Sequence, residues 1–518
     1  MDAIRIKNLR SLQDTEYIDI NSLNILVGQN SSGKSTFLRC FPLLKQSVET
    51  DSIGSILWYG NLVDFGSFKE ALYRQADSSN IGFGFQLLID LEDRRNALPL
   101  FRYRELRQRV TANLMPTKTQ LTIEKLSSQE HSYLQEVSVS VFDSIFNIQL
   151  DSQLRLTHLS INSKDVTDLF KEYRFIQRGG GLLPSFLVRS RRLDSSDDFI
   201  NPTIFDRLFA EIKSITRSRT PEVIQRIIRR LQLGNRQQLL QQIQDMSPPT
   251  QSWEKVVSVW TLDSPQFNTI VELLFAGYFE LIYMIIESHL RSTMQNVYYI
   301  APLRASAERY YRVQGLAVRE VDAQGRNLPM FVRNLSFDMR KKLNNWLIEN
   351  FDFELKSESE GGHLSLKIRV DGSSVFENLA DMGFGYSQMI PILIQLWMIG
   401  ESRNALRIRG LPRIFAIEQP ELHLHPRLQA KLADVFVATV QTAKKMRIDV
   451  RLIIETHSET MINRFGSRIA DGDLDHNSIN VIVFEKNNNS QSTSIMRSGY
   501  DKEGYLKKWP YGFFRPED

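Results

Sequence analysis

Residues 23–36 read Leu-Asn-Ile-Leu-Val-Gly-Gln-Asn-Ser-Ser-Gly-Lys-Ser-Thr. Within them Gly28 to Ser35 satisfy G-x-x-x-x-G-K-[ST] at every fixed position. An apolar strand, Asn24–Val27, precedes the loop, and a helix starting over Ser35–Phe41 follows it. Each residue type has a chemical reason. Gly28 and Gly33 let the backbone wrap a polyphosphate so that amide N–H groups point at its oxygens, and the helix N-terminus adds its positive dipole end. Lys34 reaches the outer phosphates, and the Ser35 hydroxyl is a Mg²⁺ ligand. With strand and helix both in place, a chance glycine turn is the weaker alternative. The loop indicates a nucleoside triphosphate and leaves open what its energy is used for.

Around this loop lies a chain of 518 residues, long enough for about three domains at ~100–200 residues each. Apolar residues make up 42% and charged residues 24%, as in ordinary globular proteins and unlike disordered ones. Sixty-four Lys+Arg against 60 Asp+Glu leave a net charge of +4, which excludes a polycation. The single cysteine, Cys40, excludes an intrachain disulfide framework and a cysteine zinc finger, and it fits a reducing cytoplasm. The N-terminus shows no apolar signal region. The most apolar stretch, Thr269–Leu290, carries Glu272, Glu280 and Glu287. Spanning a bilayer takes roughly 18–20 uncharged residues, so a buried helix is expected and no membrane partner.

Downstream, alternation over Phe83–Leu88 and Val137–Phe142 predicts an antiparallel sheet. Helical periodicity runs through Pro202–Leu240, and Phe267–Leu290 reads as a long apolar helix. From Asn296 onward, apolar strands at Ile414–Ile417, Val450–Ile454 and Ile479–Phe484 alternate with helices, the pattern of a mainly parallel sheet.

Two of those strands end in polar clusters. Arg413–Ile417 runs into Glu418-Gln419-Pro420-Glu421-Leu422-His423-Leu424-His425. An acid directly after a fully apolar strand is costly to bury unless it is paired or binds metal, and a phosphate loop needs such a carboxylate for Mg²⁺. His423 and His425 alternate, but no third ligand joins them at suitable spacing. Arg451–Ile454 runs into Glu455-Thr456-His457-Ser458, where His457 can reach a γ-phosphate. Between the phosphate loop and the Glu418 strand, Gly383-Phe384-Gly385-Tyr386-Ser387-Gln388 precedes an apolar helix, another N-terminus open to an anion.

Taken in this order, the four motifs resemble the ATP-binding heads of the ABC class, in particular the SMC/RecF/OLD branch. The resemblance covers roughly residues 1–95 and 296–518 and begins at Ile4–Leu26. It implies an α/β fold: an ABC-type ATPase head, a mixed sheet with a P-loop core plus an antiparallel lobe, interrupted by a largely helical insertion. The expected division is 1–95 with Walker A, 96–295 as a β-rich then helical insertion, and 296–518 with the remaining motifs. Gly28, Asn30, Ser31, Ser32, Gly33, Lys34, Ser35 and Thr36 would bind ATP, helped by Gly385, Ser387 and Gln388 of the signature motif of a second chain. Ser35 and Glu418 would hold Mg²⁺. Glu418, Gln419, Glu421 and the switch histidine His457 would carry the hydrolytic chemistry. One set of motifs per chain implies a head-to-tail dimer, with Ser387 and the amides near Gly385 stabilising charge across the interface. Many such heads place a glutamate where this chain has Gln419. A glutamine orients water but cannot take its proton, so turnover is expected to be slow, with Glu421 as the other candidate for the role.

The segments Tyr299–Tyr311 and Gly504–Phe514 are similar to a subgroup that includes the PtuA-like ATPases of Septu and retron anti-phage systems. That implies a separate nuclease effector, an HNH protein of the PtuB-like kind. Some OLD-type relatives carry a Toprim nuclease after the switch histidine, but the 61 residues after His457 have no room for one. Residues 171–236 hold 14 Lys+Arg and 7 Asp+Glu, a local +7 against −3 elsewhere. Arg189, Arg191, Arg192, Arg226, Arg229 and Arg230 belong to this excess, and arginine suits phosphate-backbone contact with DNA or retron msDNA. A solvated helix face or an acidic protein partner are the alternatives there. A stand-alone RecF-like repair ATPase and an ATP-stabilised non-catalytic scaffold remain the competing functions.

Overall fold

The computed structural model describes residues 1–52, 54–92, 106–126, 132–177, 180–188, 202–247, 249–315, 318, 320–370, 372–401, 411–486 and 492–509. Arg189, Arg191 and Arg192 lie outside these residues.

The loop-bearing strand Leu23–Gly28 sits inside a six-stranded sheet in the order Val297–Ile300, Arg413–Glu418, Val450–Glu455, Leu23–Gly28, Ile479–Lys486, Thr493–Ser498. All neighbours pair in parallel except the last, which is antiparallel. Parallel strands are covered on both faces, which is why these segments read as continuous apolar runs. Leu23–Gly28 and Arg413–Glu418 are buried at every position. Because the strands run the same way, their C-terminal ends share one edge, where α/β sheets bind ligands.

A second, antiparallel sheet joins the N-terminal strand Ala3–Leu9 to Asn80–Asp90, and then in sequence to Leu114–Lys125, Ser132–Val141, Ser144–Leu150 and Leu156–Ile161. Its residues largely alternate between buried and partly exposed, as a sheet with one wet face requires. The ladder between Asn80–Asp90 and Leu114–Lys125 is unbroken from Asn80 opposite Glu124 to Asp90 opposite Leu114. The expected boundary at residue 95 lies outside the described residues, and the strands on either side of it belong to one sheet. The β-rich part of 96–295 is built onto the N-terminal lobe, because edge strands gain hydrogen bonds by extending a sheet already present.

The helical part follows as Pro202–Thr216, Pro221–Arg230, Arg236–Gln244, Gln251–Val257 and the 31-residue helix Pro265–Gln295. That last helix is long and apolar enough to cross a membrane, yet it is mostly buried, packed against Lys34–Glu49 and Pro202–Thr216. Each of its acids has a partner. Glu272 pairs with Lys164 at 2.8 Å, Glu280 accepts from the Tyr173 hydroxyl, and Glu287 pairs with Arg291 at 2.7 Å. A smaller antiparallel sheet, centred on Phe353–Glu360 and His363–Val370, carries the helices Leu328–Asn334 and Phe337–Phe351, and the helix Phe384–Glu401 packs against Pro426–Lys445. The whole is the expected mixed α/β head with an antiparallel lobe and a helical insertion.

Candidate nucleotide site

Gly28 closes its strand at φ +145°, and a Cβ there would lie 2.0 Å from the carbonyl oxygen of Phe484 on the neighbouring strand. No side chain fits. Gly33 stands at the helix N-cap with φ +97°, and no side chain caps the helix Lys34–Glu49. Its first amides are left for an anion. The Lys34 ammonium folds over the loop and donates to the carbonyls of Gly28 at 2.9 Å and Gln29 at 2.6 Å. Burial holds its pKa below the usual lysine value. Asn30 and Ser31 are exposed at the tip, whereas Ser32 and Thr36 are buried.

The carboxylate that meets Ser35 is Glu455: the hydroxyl donates to its Oε1 at 2.8 Å. Its other oxygen is buried without a hydrogen-bond partner. Burial, and then the charge of Glu418, push the Glu455 pKa up to about 7, against the pull of Ser35 and Lys34. Glu418 stands directly beside it in register on the next strand and is 2% exposed. It accepts from Arg39 Nε and Nη2, both at 2.8 Å, and from the Tyr299 hydroxyl at 2.7 Å. Glu418 thus meets Arg39, not Ser35, in this arrangement.

Gln419 turns the chain through a left-handed conformation, φ +42°, its amide bonded to the Glu455 carbonyl at 2.9 Å. Glu421 accepts from the backbone N–H of His457 at 2.7 Å. Its second oxygen is also buried and unpartnered, and burial raises its pKa. The His457 pKa is lowered by desolvation and by Lys34, so its ring is neutral at pH 7. His425 caps the helix Pro426–Lys445, its ring nitrogen accepting from the Arg427 N–H.

At the signature segment, Gly383 takes φ +77° with open space around it, and Phe384 is exposed. Ser387 and Gln388 are buried. The Ser387 hydroxyl donates back to the Phe384 carbonyl at 2.9 Å, and Gln388 pairs with Arg304. The exposed rim of this motif is Asp381 to Phe384, outside the serine.

Arg39, Tyr299, Arg304 and Glu455 are the site residues that motif matching passes over. Arg39 had a signal, four residues beyond Ser35 and so on the same helix face. Glu455 had one too, an apolar strand ending in an acid, like Glu418. The donor set fits Mg²⁺: a loop hydroxyl, two adjacent carboxylates and one orphaned carboxylate oxygen are hard oxygen ligands.

A family model described as AAA ATPase domain matches residues 1–232 and 307–462. No curated protein matches the chain. Among solved structures it is similar to the Smc head domain with an extended coiled coil bound to the C-terminal domain of ScpA, from Pyrococcus furiosus. The identity is 11%, covering 96% of this chain and 95% of that one, with a TM-score of 0.36. It is also similar to the SMC head domain from Thermotoga maritima, at 8% identity over 96% and 97% of the two chains and a TM-score of 0.30.

Proposed function

The chain belongs to the AAA ATPase domain family, and from that premise we propose that it is an ABC-type ATPase that binds ATP and Mg²⁺ and hydrolyses ATP slowly. One observation carries this: the loop hydroxyl of Ser35 meets the half-satisfied carboxylate of Glu455 directly beside the lysine-covered glycine loop. Lys34 exchanges two backbone carbonyls for phosphate oxygens, and the amides of Gly28 to Thr36 receive the rest. Ser35, with Glu418 and Glu455, would hold Mg²⁺, which would supply charge neutralisation at the outer phosphates. Gln419 orients the attacking water without taking its proton, and Glu421 is engaged by the His457 amide, which supports a slow step. Neutral His457 is a hydrogen-bond donor to the phosphate.

The finer proposal is a cytoplasmic anti-phage ATPase that pairs head to tail with a second copy and regulates a separate HNH nuclease. It rests on the similarity of Tyr299–Tyr311 to PtuA-like proteins. In keeping with a nucleic-acid partner, Arg217, Arg219, Arg226, Arg229 and Arg230 are all exposed, with no ion-pair partner among the described residues. Arg236 differs: its guanidinium is spent on the Leu262 carbonyl at 2.5 Å and on Asn268. A RecF-like repair role predicts DNA-stimulated hydrolysis without a partner, and a scaffold role predicts tight ATP binding with no phosphate release. The deciding experiment compares phosphate release and ATP-dependent mass by light scattering for the wild type and Lys34→Ala. Slow release and dimer formation lost in the variant are expected. Equal release from both overturns the ATPase proposal.

A further inference from the structure

Arg304 lies four residues past the edge strand Val297–Ile300 and is 5% exposed. The amide of Gln388 pairs with its peptide as a neighbouring strand would: Oε1 accepts from the Arg304 N–H at 3.2 Å, and Nε2 donates to the Arg304 carbonyl at 3.1 Å. The guanidinium then forks. Nη1 donates to the Gln388 carbonyl at 3.2 Å, and Nη2 donates to the carbonyls of Glu418 at 2.9 Å and Gln419 at 3.2 Å. Its Nε is buried with no hydrogen-bond partner. Burial pushes its pKa down to about 10, so it stays charged at neutral pH, opposed by the charges of Glu421 and Glu418.

Burying a cation against carbonyls alone is an expensive way to fill space, since an apolar residue of similar volume packs at lower cost. What the guanidinium adds is geometry, a planar fork that fixes two segments at once. Those segments are the first turns of the signature helix and the turn carrying Glu418 and Gln419. Glu421, in that same turn, holds the His457 amide. A continuous set of contacts, buried at Arg304 and Gln388 and exposed at the His457 amide, therefore joins signature helix, carboxylate turn and switch histidine within one chain.

We infer that Arg304 is a positioning residue that couples the signature helix to the hydrolytic turn of its own chain. Capture of a second chain's nucleotide by that helix and hydrolysis at the chain's own loop then rise and fall together. This rests on the ATPase reading above.

The test uses the full chain and the variants Arg304→Met, Arg304→Lys and Gln388→Leu, with Lys34→Ala as reference. Affinity for fluorescent ATP analogue with Mg²⁺, turnover at saturating ATP, ATP-dependent mass and melting temperature are measured on each. Arg304→Met is expected to bind the analogue within about threefold of wild type, while turnover and dimer formation fall together by about tenfold or more. Arg304→Lys recovers little, because a point charge cannot span both segments. If Arg304→Met does not fold, Gln388→Leu, which removes the peptide-like pairing and leaves the charge, reports the same split. The inference is overturned if turnover is unchanged, or if affinity and turnover fall by equal factors. Where Lys34→Ala is dead and Arg304→Met behaves as wild type, only the coupling fails. Where Lys34→Ala matches wild type, the ATPase reading fails and the coupling with it.

Discussion

Replacing Arg39 by methionine tests the electrostatics on which the site is built. Glu418 is 2% exposed and receives three donors, two of them from Arg39. Methionine keeps the apolar stem and removes both guanidinium bonds, leaving a buried carboxylate with the Tyr299 hydroxyl alone. Breaking a fully buried ion pair from one side costs roughly 3–5 kcal/mol. The Arg39 side chain is 32% exposed, so water screens part of this, and about 2–3 kcal/mol is the expected loss. For a chain of this size that lowers the melting temperature by about 2–3 °C. The assay is thermal unfolding with chelator, and again with ATP and Mg²⁺. If Glu418 serves the metal, bound Mg²⁺ gives it a second counter-charge and the deficit narrows on loading. A ligand-free variant as stable as wild type would refute the claim that Arg39 neutralises Glu418. An undiminished deficit with ATP and Mg²⁺ would refute Glu418 as a metal-side carboxylate.

Glu455 makes a pH prediction. Its folded pKa is raised from 4.5 to about 7, so between those values the folded chain holds a proton that the unfolded chain has released. Its contribution to stability is therefore fully present below about pH 4.5 and is lost as pH rises to about 7, where the loss levels at about 3 kcal/mol. Glu455→Gln escapes this, so its stability advantage over wild type grows from pH 5 to 7.5, and parallel pH curves in urea unfolding would count against it. Gln419→Glu supplies a proton acceptor at the turn and should raise steady-state turnover about tenfold or more, whereas an unchanged rate would clear Gln419 of limiting the reaction. Reversing Arg226, Arg229 and Arg230 to glutamate should flatten the salt dependence of DNA binding by about one unit of slope per arginine, and an unaltered slope in fluorescence anisotropy would remove these helices from the interface.

Local chemistry was legible in the sequence and spatial adjacency was not. The loop could be read because its demands are local: Gly28 must lack a side chain, and the strand before it must be apolar on both faces. Ser35 posed a different problem. Arg413–Glu418 and Val450–Glu455 are equivalent as text, each an apolar run ending in glutamate. Which one faces the loop depends on strand order, and Val450–Glu455 is the strand inserted next to Leu23–Gly28. The antiparallel sheet hid for the same reason, since Ala3–Leu9 and Asn80–Asp90 pair across more than seventy residues. Ser387 shows a third limit. Spacing places it in the first turn of a helix, but only packing decides that its hydroxyl turns inward to Phe384. Arg304 is the extreme case, since its partners at 388, 418 and 419 share no periodicity with it. A buried charge joined to backbone carbonyls leaves no composition or spacing signal, because carbonyls belong to every residue. Contacts of this kind are where the chain's motifs become one site, and the fold must be known before they can be seen.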